Sequence, residues 1–515
     1  MSRETPMVQR SRLVVAVLSV VSLLGVMAVL LMTREQGTTS APSVAGECSG
    51  VSVGPGDDVR QRVHDSPDGA TLCFAPGVYR LSAPLVPKAR QKLRARPGAM
   101  LNGSVIIHQW RRVDSFWLAT GYLPADPRPH GECTPGFIGC RYSETVFLDG
   151  HALQRVDRQD QLQGGRFFED YLSNEIWIAD EPTNHLLEVA RAPAAIQGSA
   201  PGVVLEGFVI EKFANRGQTG AVEPRGRDWI VQGNDIRLNH GHGIQVAADR
   251  VTMRGNHVHD NGQLGIGSGA VKDQLLEGNE IDHNNTAGFS FRWEAGGAKW
   301  AMTQHLVVRG NCVHDNGGPG LWTDTNNVDT TYEGNVVTGN AGSGILHETS
   351  FQAVIHGNQV SRNGNTDPTG GWGPSGIQVA SSSGVEIDHN AVVGNANGIV
   401  LAQQVRKDSP SPLGPHELRD ISVHDNTVTM TRGVTGMVND TGRSRYYSSS
   451  IRFQDNTYFV PDTSAQLFAW MNATWNQADW RFRFRQDVTS PLLPLDPNPL
   501  LPSGPGQEVE HACPT

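Results

Sequence analysis

The chain has little of what most architectures and functions need. Only 6 of its 515 residues are cysteine, and none of them form a Cys-x-x-Cys pair, which removes zinc-ribbon and dithiol chemistry. Lys and Arg together number 42 against 52 Asp and Glu, a formal net charge of −10. No basic surplus is present to neutralise phosphates, so nucleic acid is excluded as a partner. Aromatic residues make up 7%, and no segment of the repeats described next carries an uninterrupted helical stripe of ten residues. Helical solenoids are thereby excluded, as are leucine-rich repeats, whose leucine pattern is missing. Long apolar runs are equally scarce, and one stands out, from Leu13 to Met32.

What the chain does have is self-similarity. Gly233-Asn234 recurs as Gly255-Asn256, Gly278-Asn279, Gly310-Asn311, Gly334-Asn335 and Gly357-Asn358, then as His389-Asn390 and Asp425-Asn426. The steps are 22 to 24 residues, with two longer steps of 32 and one of 36. A second phrase keeps pace: Gly243-Ile244, Gly265-Ile266, Gly288-Phe289, Gly320-Leu321, Gly344-Ile345, Gly376-Ile377 and Gly398-Ile399. Segments such as Ile244-Gln245-Val246 alternate with period 2, as strands do. All-strand repeats of this length predict a parallel β-helix in which each coil stacks on the last, with the recurrent asparagine forming an internal amide ladder.

The remainder divides around those coils. Residues 1–12 read as a cytoplasmic N-terminus, 13–32 as a single transmembrane anchor and 33–46 as a linker. The run is 20 residues long, and Arg3, Arg10 and Arg12 precede it. By the positive-inside rule the rest of the chain is then extracytoplasmic, or secreted if the segment is cleaved. Residues 47–104 form an N-terminal cap and first coil, 105–200 an inserted β-rich lobe, 201–460 the β-helix repeats, and 461–515 a C-terminal cap and Pro-rich tail. Export suits disulfides, and the sequence-local pairs Cys48 with Cys73 and Cys133 with Cys140 are expected to form them. Cys312 is expected as a buried free thiol, and Cys513 stays unassigned.

Four residues beyond each strand glycine stand Ala247, Gly269, Arg292, Asp324, Glu348, Ala380 and Ala402. Alternation turns this column outward, so Arg292, Asp324 and Glu348 are expected in one line at coil spacings of about 4.8 Å. The longer steps add loops beside it, one holding Trp293, Glu294 and Lys299 and another holding Trp372. Paired carboxylates at such spacing suit glycosidic chemistry, with Asp324 and Glu348 as acid and base and Arg292 orienting or tuning them. Lys299 between glycines can fold over the groove, and His347 enters the catalytic set if a bulge turns it outward. Trp293, Glu294, Trp322, Asn326, Asn327 and Trp372 are the expected sugar contacts. No cofactor is required, although Asp324, Asp329, Asn326 and Asn327 supply closely spaced oxygens of the kind that hold Ca²⁺.

The repeats, together with the entry sequence Ala75-Pro76-Gly77-Val78-Tyr79, resemble the right-handed parallel β-helix proteins of the pectate-lyase-like superfamily. Blocks such as Gly344-Ile345-Leu346-His347-Glu348 look like those of actinobacterial members of unassigned activity. The resemblance implies handedness and a class of carbohydrate-active enzymes, chiefly hydrolases, lyases and uronan epimerases, alongside binding and adhesion proteins. His240-Gly241-His242-Gly243 contains the Gly-His-Gly found in polygalacturonases. The acidic sequences that accompany it there do not stand on the preceding coils, so that mechanism is not carried over. The expectation is a monomeric, membrane-anchored enzyme acting on a polysaccharide through paired carboxylates. The alternatives are a polysaccharide lyase using Lys299 and Arg292, and a non-catalytic glycan-binding or scaffolding β-helix.

Overall fold

The computed structural model describes residues 48–365, 373–406, 411 and 413–495. From Ile196 onward each coil contributes one short strand to each of three sheets of 13, 13 and 12 strands, which are parallel except for the last pair of the third, Phe468–Trp470 with Ala473–Trp475. One coil shows the path. Thr252–Arg254 lies in the first sheet, His257–His259 in the second and Leu264–Gly269 in the third. The chain then returns to the first sheet at Leu275–Glu277, beside Thr252–Arg254.

In the middle coils two corners are tied to the next coil by amides. At the corner between the first and second sheets, Asn335 accepts on Oδ1 from the backbone N–H and the Nδ2 of Asn311, at 3.0 Å each. Asn335 Nδ2 in turn donates to Asn358 Oδ1 and to the Val308 carbonyl, both at 2.9 Å. This pattern runs from Asn234 to Asn456 and ends on the Asp487 carboxylate. Most residues before these asparagines are glycines with φ between +57° and +64° and nothing near their Cβ positions, so glycine serves conformation there rather than space.

A second ladder runs at the corner between the second and third sheets, from Asn239 through Asn261, Asn284, Asn316, Asn340 and Asn363 to Asn395. Its amides fix the strand glycines: a Cβ on Gly344 would stand 2.7 Å from Asn363 Nδ2 and 2.7 Å from the Gly376 carbonyl.

Inside the third sheet the apolar stack is Ile244, Ile266, Ala298, Leu321, Ile345, Ile377 and Ile399. Ala298 takes the place expected for Phe289. The insertion in this coil therefore precedes the strand Gly296–Ala301 instead of following it. Phe289 is buried elsewhere, in a small cluster with Cys140 and Ala295. The neighbouring inward column is Val246, Ser268, Trp300, Thr323, His347, Val379 and Leu401, where the buried indole of Trp300 sits between two small side chains.

His347 is consequently a core residue, with no exposed surface. No bulge turns it outward, and it is removed from the catalytic set. Its Nδ1 lies 2.8 Å from Thr323 Oγ1, which also accepts from Tyr332 Oη at 2.9 Å. Burial pushes its pKa down from 6.5 to about 3, so the ring is neutral. Asn327 is likewise structural, not a sugar contact. It is buried at the third corner, accepting from Thr303 and donating to Ser350 Oγ and the Trp300 carbonyl.

The ends are covered. The helix Val59–Asp65 lays Val59 and Val63 on the N-terminal end of the core, and Gln91 Nε2 holds the Val63 and Ser66 carbonyls at the helix end. At the other end Trp470 and Trp480 pack with Phe453 and Phe468. Two small sheets of four and five strands between residues 104 and 190 form the lateral lobe.

Disulfides join Cys48 to Cys73 and Cys133 to Cys140. Cys312 is disulfide-bonded and not the free thiol expected from its inward position. Cys513, Trp372, the apolar run 13–32 and the linker lie outside the described residues, among which no helix is long and apolar enough to cross a membrane.

Asn335→Ala would strip partners from Asn311, Asn358 and the Val308 carbonyl at once. It should cost roughly 3 kcal/mol in urea unfolding, and a loss near zero would show that the ladder carries no stability. His347 has its own pH signature. A folded pKa held below the unfolded value leaves its stability contribution whole above pH 6.5 and lost progressively as pH falls toward about 3. In His347→Leu the uptake of protons on unfolding in that window should drop by about one, read as a flatter dependence of unfolding free energy on pH.

Candidate functional site

The outer face of the third sheet carries a chain of charges on its middle coils. Lys299, on the strand Gly296–Ala301, is in register with Trp322 on the next strand, and Ala301 is in register with Asp324. Asp324 is in turn paired with Glu348, and Glu348 with Ala380. The expected column is thus half kept. Asp324 and Glu348 are neighbours, but the position before them belongs to Ala301. Arg292 is an exposed turn residue outside the strand, because the insertion shifts the register by nine residues.

Lys299 is a strand residue, not a loop residue. Its Nζ lies 3.1 Å from Asp324 Oδ2, 3.8 Å from Glu294 Oε2 and 3.8 Å from the centroid of Trp322. Asp324 Oδ1 accepts from Thr325 Oγ1 at 2.9 Å and from Thr349 Oγ1 at 3.2 Å. Glu348 accepts from Trp322 Nε1 at 3.2 Å and is ion-paired with Arg406. Trp322 is only 6% exposed, so it serves as a wall between Lys299 and Glu348, not as an open platform for a sugar ring. Trp293 is half-buried and stacks on Phe289 with ring centroids 6.0 Å apart.

Four further groups extend the chain of contacts. Glu294 accepts from Gln218 Nε2 at 3.0 Å and faces His242 Nε2 at 3.4 Å. His242 is fully buried, its pKa lowered by burial, with Nδ1 2.7 Å from Gln245 Oε1. Gly267 makes room for that pair, since a Cβ there would stand 2.3 Å from Gln245 Oε1. At the far end His416 Nε2 meets Asn326 Oδ1 at 2.9 Å, and its pKa is lowered by burial and by Arg406. A cavity of about 260 Å³ adjoins this end, lined by Arg406, His416, Arg443, Arg445, Gln403 and Tyr446.

The oxygen set considered for Ca²⁺ does not assemble. Asn327 spends its amide inside the corner, Asp324 is turned to Lys299, and Asp329 faces His305 at 3.9 Å.

Sequence reading missed His242, Gln245, Gln218, Arg406 and His416. Gln245 was legible in principle, since Gln245, Gly267 and Lys299 share one outward column. Arg406 and His416 sit in the loop of the third long step, from Gln403 to His416, which the spacing sets beside the charged column without singling out either residue.

Residues 220–392 match the family described as right handed beta helix region. No curated protein matches the chain. Among solved structures, XylC in complex with xylose has a TM-score of 0.56 at 14% identity, over 86% of this chain and 83% of that one. The A-module of the Azotobacter vinelandii mannuronan C-5 epimerase AlgE4 has a TM-score of 0.42 at 13% identity, over 78% and 87%. The Streptococcus pneumoniae surface adhesin PfbA has 0.42 at 12%, over 79% and 92%. At such identities what is shared is the fold. The family match marks residues 220–392 as a right handed beta helix region, and the stacked coils of the three sheets continue on either side of it.

Proposed function

We propose that the chain is a membrane-tethered, extracytoplasmic enzyme that acts on a polysaccharide in the manner of a glycoside hydrolase, with Asp324 and Glu348 as its acid–base pair. The observation that carries this reading is their pairing on adjacent strands of an outer face. Coils about 4.8 Å apart bring two carboxylates near the separation of about 5–5.5 Å used when one acts as nucleophile and the other as acid. The same column is Ala301, Ala380 and Ala402 on the flanking coils, so charge is concentrated where the two acids meet.

The roles follow from the surroundings. Asp324 has the more exposed side chain, 23% against 12% for Glu348, and is the nucleophile or base candidate because it is the more open of the two to a substrate. Glu348 is the acid candidate. A sugar carboxylate that drew Arg406 to itself would leave Glu348 buried without its counter-charge, the situation in which a carboxyl holds a proton. Arg406, Arg443 and Arg445 around the adjoining cavity suit such an acidic glycan. Lys299, held between two carboxylates and an indole face, is placed as an ammonium that orients Asp324. Those contacts engage the Lys299 Nζ, and Arg292 stands outside the group, which favours the hydrolase reading over a lyase built on these two residues.

Asp324→Asn and Glu348→Gln should each lower turnover by roughly 10²–10⁴-fold, measured as new reducing ends on a panel of uronate-containing and neutral polymers. Unchanged turnover in both variants would remove the pair from the mechanism. Product absorbing in the ultraviolet as an unsaturated uronate would replace hydrolysis with elimination, and glycan affinity without turnover would mark a binding module. Anchoring has a separate check: the full chain should resist carbonate extraction from membranes, whereas a chain beginning at Glu47 should be released. A full chain freely soluble before and after extraction sinks the tether.

A further inference from the structure

The second sheet carries, on its outer face, a group of side chains that the carboxylate site does not use. His257 and His259 are two apart on one strand, so both point outward while Val258 fills the core. Their rings stack with centroids 3.9 Å apart at 20°. On the next coil Asp282 is in register with His259. One ligand atom from each of His257, His259 and Asp282 lies within 4.8 Å of the others. Asp282 is only 7% exposed, yet it is not a solvated turn acid: its Oδ1 is 2.7 Å from His257 Nε2 and its Oδ2 2.6 Å from His283 Nδ1.

We propose that His257, His259 and Asp282 form a site for a zinc-class divalent cation. Two imidazoles and a carboxylate select borderline metals over Ca²⁺ and Mg²⁺, which prefer oxygen alone. A tetrahedral ion with bonds of about 2.0–2.1 Å spans ligand atoms about 3.4 Å apart, which small rotations of these surface side chains reach. The supporting contacts are those a metal site needs. Asp260 Oδ2 holds His259 Nδ1 at 2.7 Å, fixing that ring so that Nε2 faces the site, where Asp235 Oδ1 stands 3.1 Å from it as a fourth, oxygen ligand. His283 grips one oxygen of Asp282 and leaves the other to the ion. The His257–Asp282 hydrogen bond gives way on loading: the ion takes the place of the shared proton, which leaves to solvent.

A superficially similar trio, His356, Asp388 and His389, provides the internal control. Both of its imidazoles bond the same carboxylate oxygen, Asp388 Oδ2, at 2.7 Å, so they share one acceptor, whereas His257 and His259 are drawn together by Asp282, Asp260 and Asp235.

The experiment is zinc titration of the full-length, metal-stripped protein by calorimetry, with cobalt substitution to read ligand geometry by visible absorption. Wild type should bind one zinc ion with a tetrahedral cobalt spectrum. His257→Gln and Asp282→Asn should each weaken binding by about 10–100-fold, His389→Gln should leave it unchanged, and Ca²⁺ should not compete. His257 is half exposed, so its variant keeps the test valid if Asp282→Asn fails to fold. Zinc affinity equal in wild type and His257→Gln, or lost in His389→Gln instead, overturns the site and leaves these residues as hydrogen-bonded His–Asp pairs. Hydrolytic activity enters neither readout, so this result stands apart from the fate of the Asp324–Glu348 pair.

Discussion

Everything in this molecule depends on one repeated contact: an asparagine amide that accepts from the coil before it and donates to the coil after it. A buried amide costs free energy unless every donor and acceptor is met, and in a stack of coils that condition holds only at a single register. The ladders thereby do more than stabilise corners. They index each coil against its neighbours, and a side chain's position along one coil determines what lies beside it on the next. The Asp324–Glu348 pair, the Lys299–Trp322 contact and the His259–Asp282 pair are all products of that indexing.

The same constraint explains what was legible in the sequence. The Gly-Asn phrase reports the first ladder directly, because the αL turn before it favours glycine and the ladder demands asparagine. The number and order of coils, and the neighbouring positions of Asp324 and Glu348, follow from it. The second ladder was only half visible, since Asp260, His283 and Asp315 replace glycine at its turns with φ near +50°. Asp and His tolerate that conformation better than most residues, so a search for glycine passes over them.

The error at Arg292 has a similar origin. A parallel strand is recognised by apolar residues, and Gly288-Phe289 offers a stronger signal than Gly297-Ala298. Inside the coil, however, the neighbouring Trp300 fills the space, and a small residue at 298 is what fits beside it. Volume shared between adjacent columns is a three-dimensional quantity that alternation cannot report. The contacts of the loop residues are illegible for a different reason: Arg406 reaches Glu348 across some 58 residues of chain that closes two coils, a distance set by sheet geometry and not by any local pattern.

The Asp487 carboxylate at the end of the first ladder receives hydrogen bonds from the Asn456 backbone and side chain, Tyr458, Trp480 and Ser490. An asparagine there would keep one acceptor, but its amide would meet the Trp480 indole N–H, which donates to the second oxygen of Asp487. A carboxylate accepts and passes nothing on. The choice of one oxygen over one nitrogen thus makes the ladder a sentence with a full stop. Its last hydrogen-bonding capacity is spent inside the C-terminal cap, on Tyr458, Trp480 and Ser490.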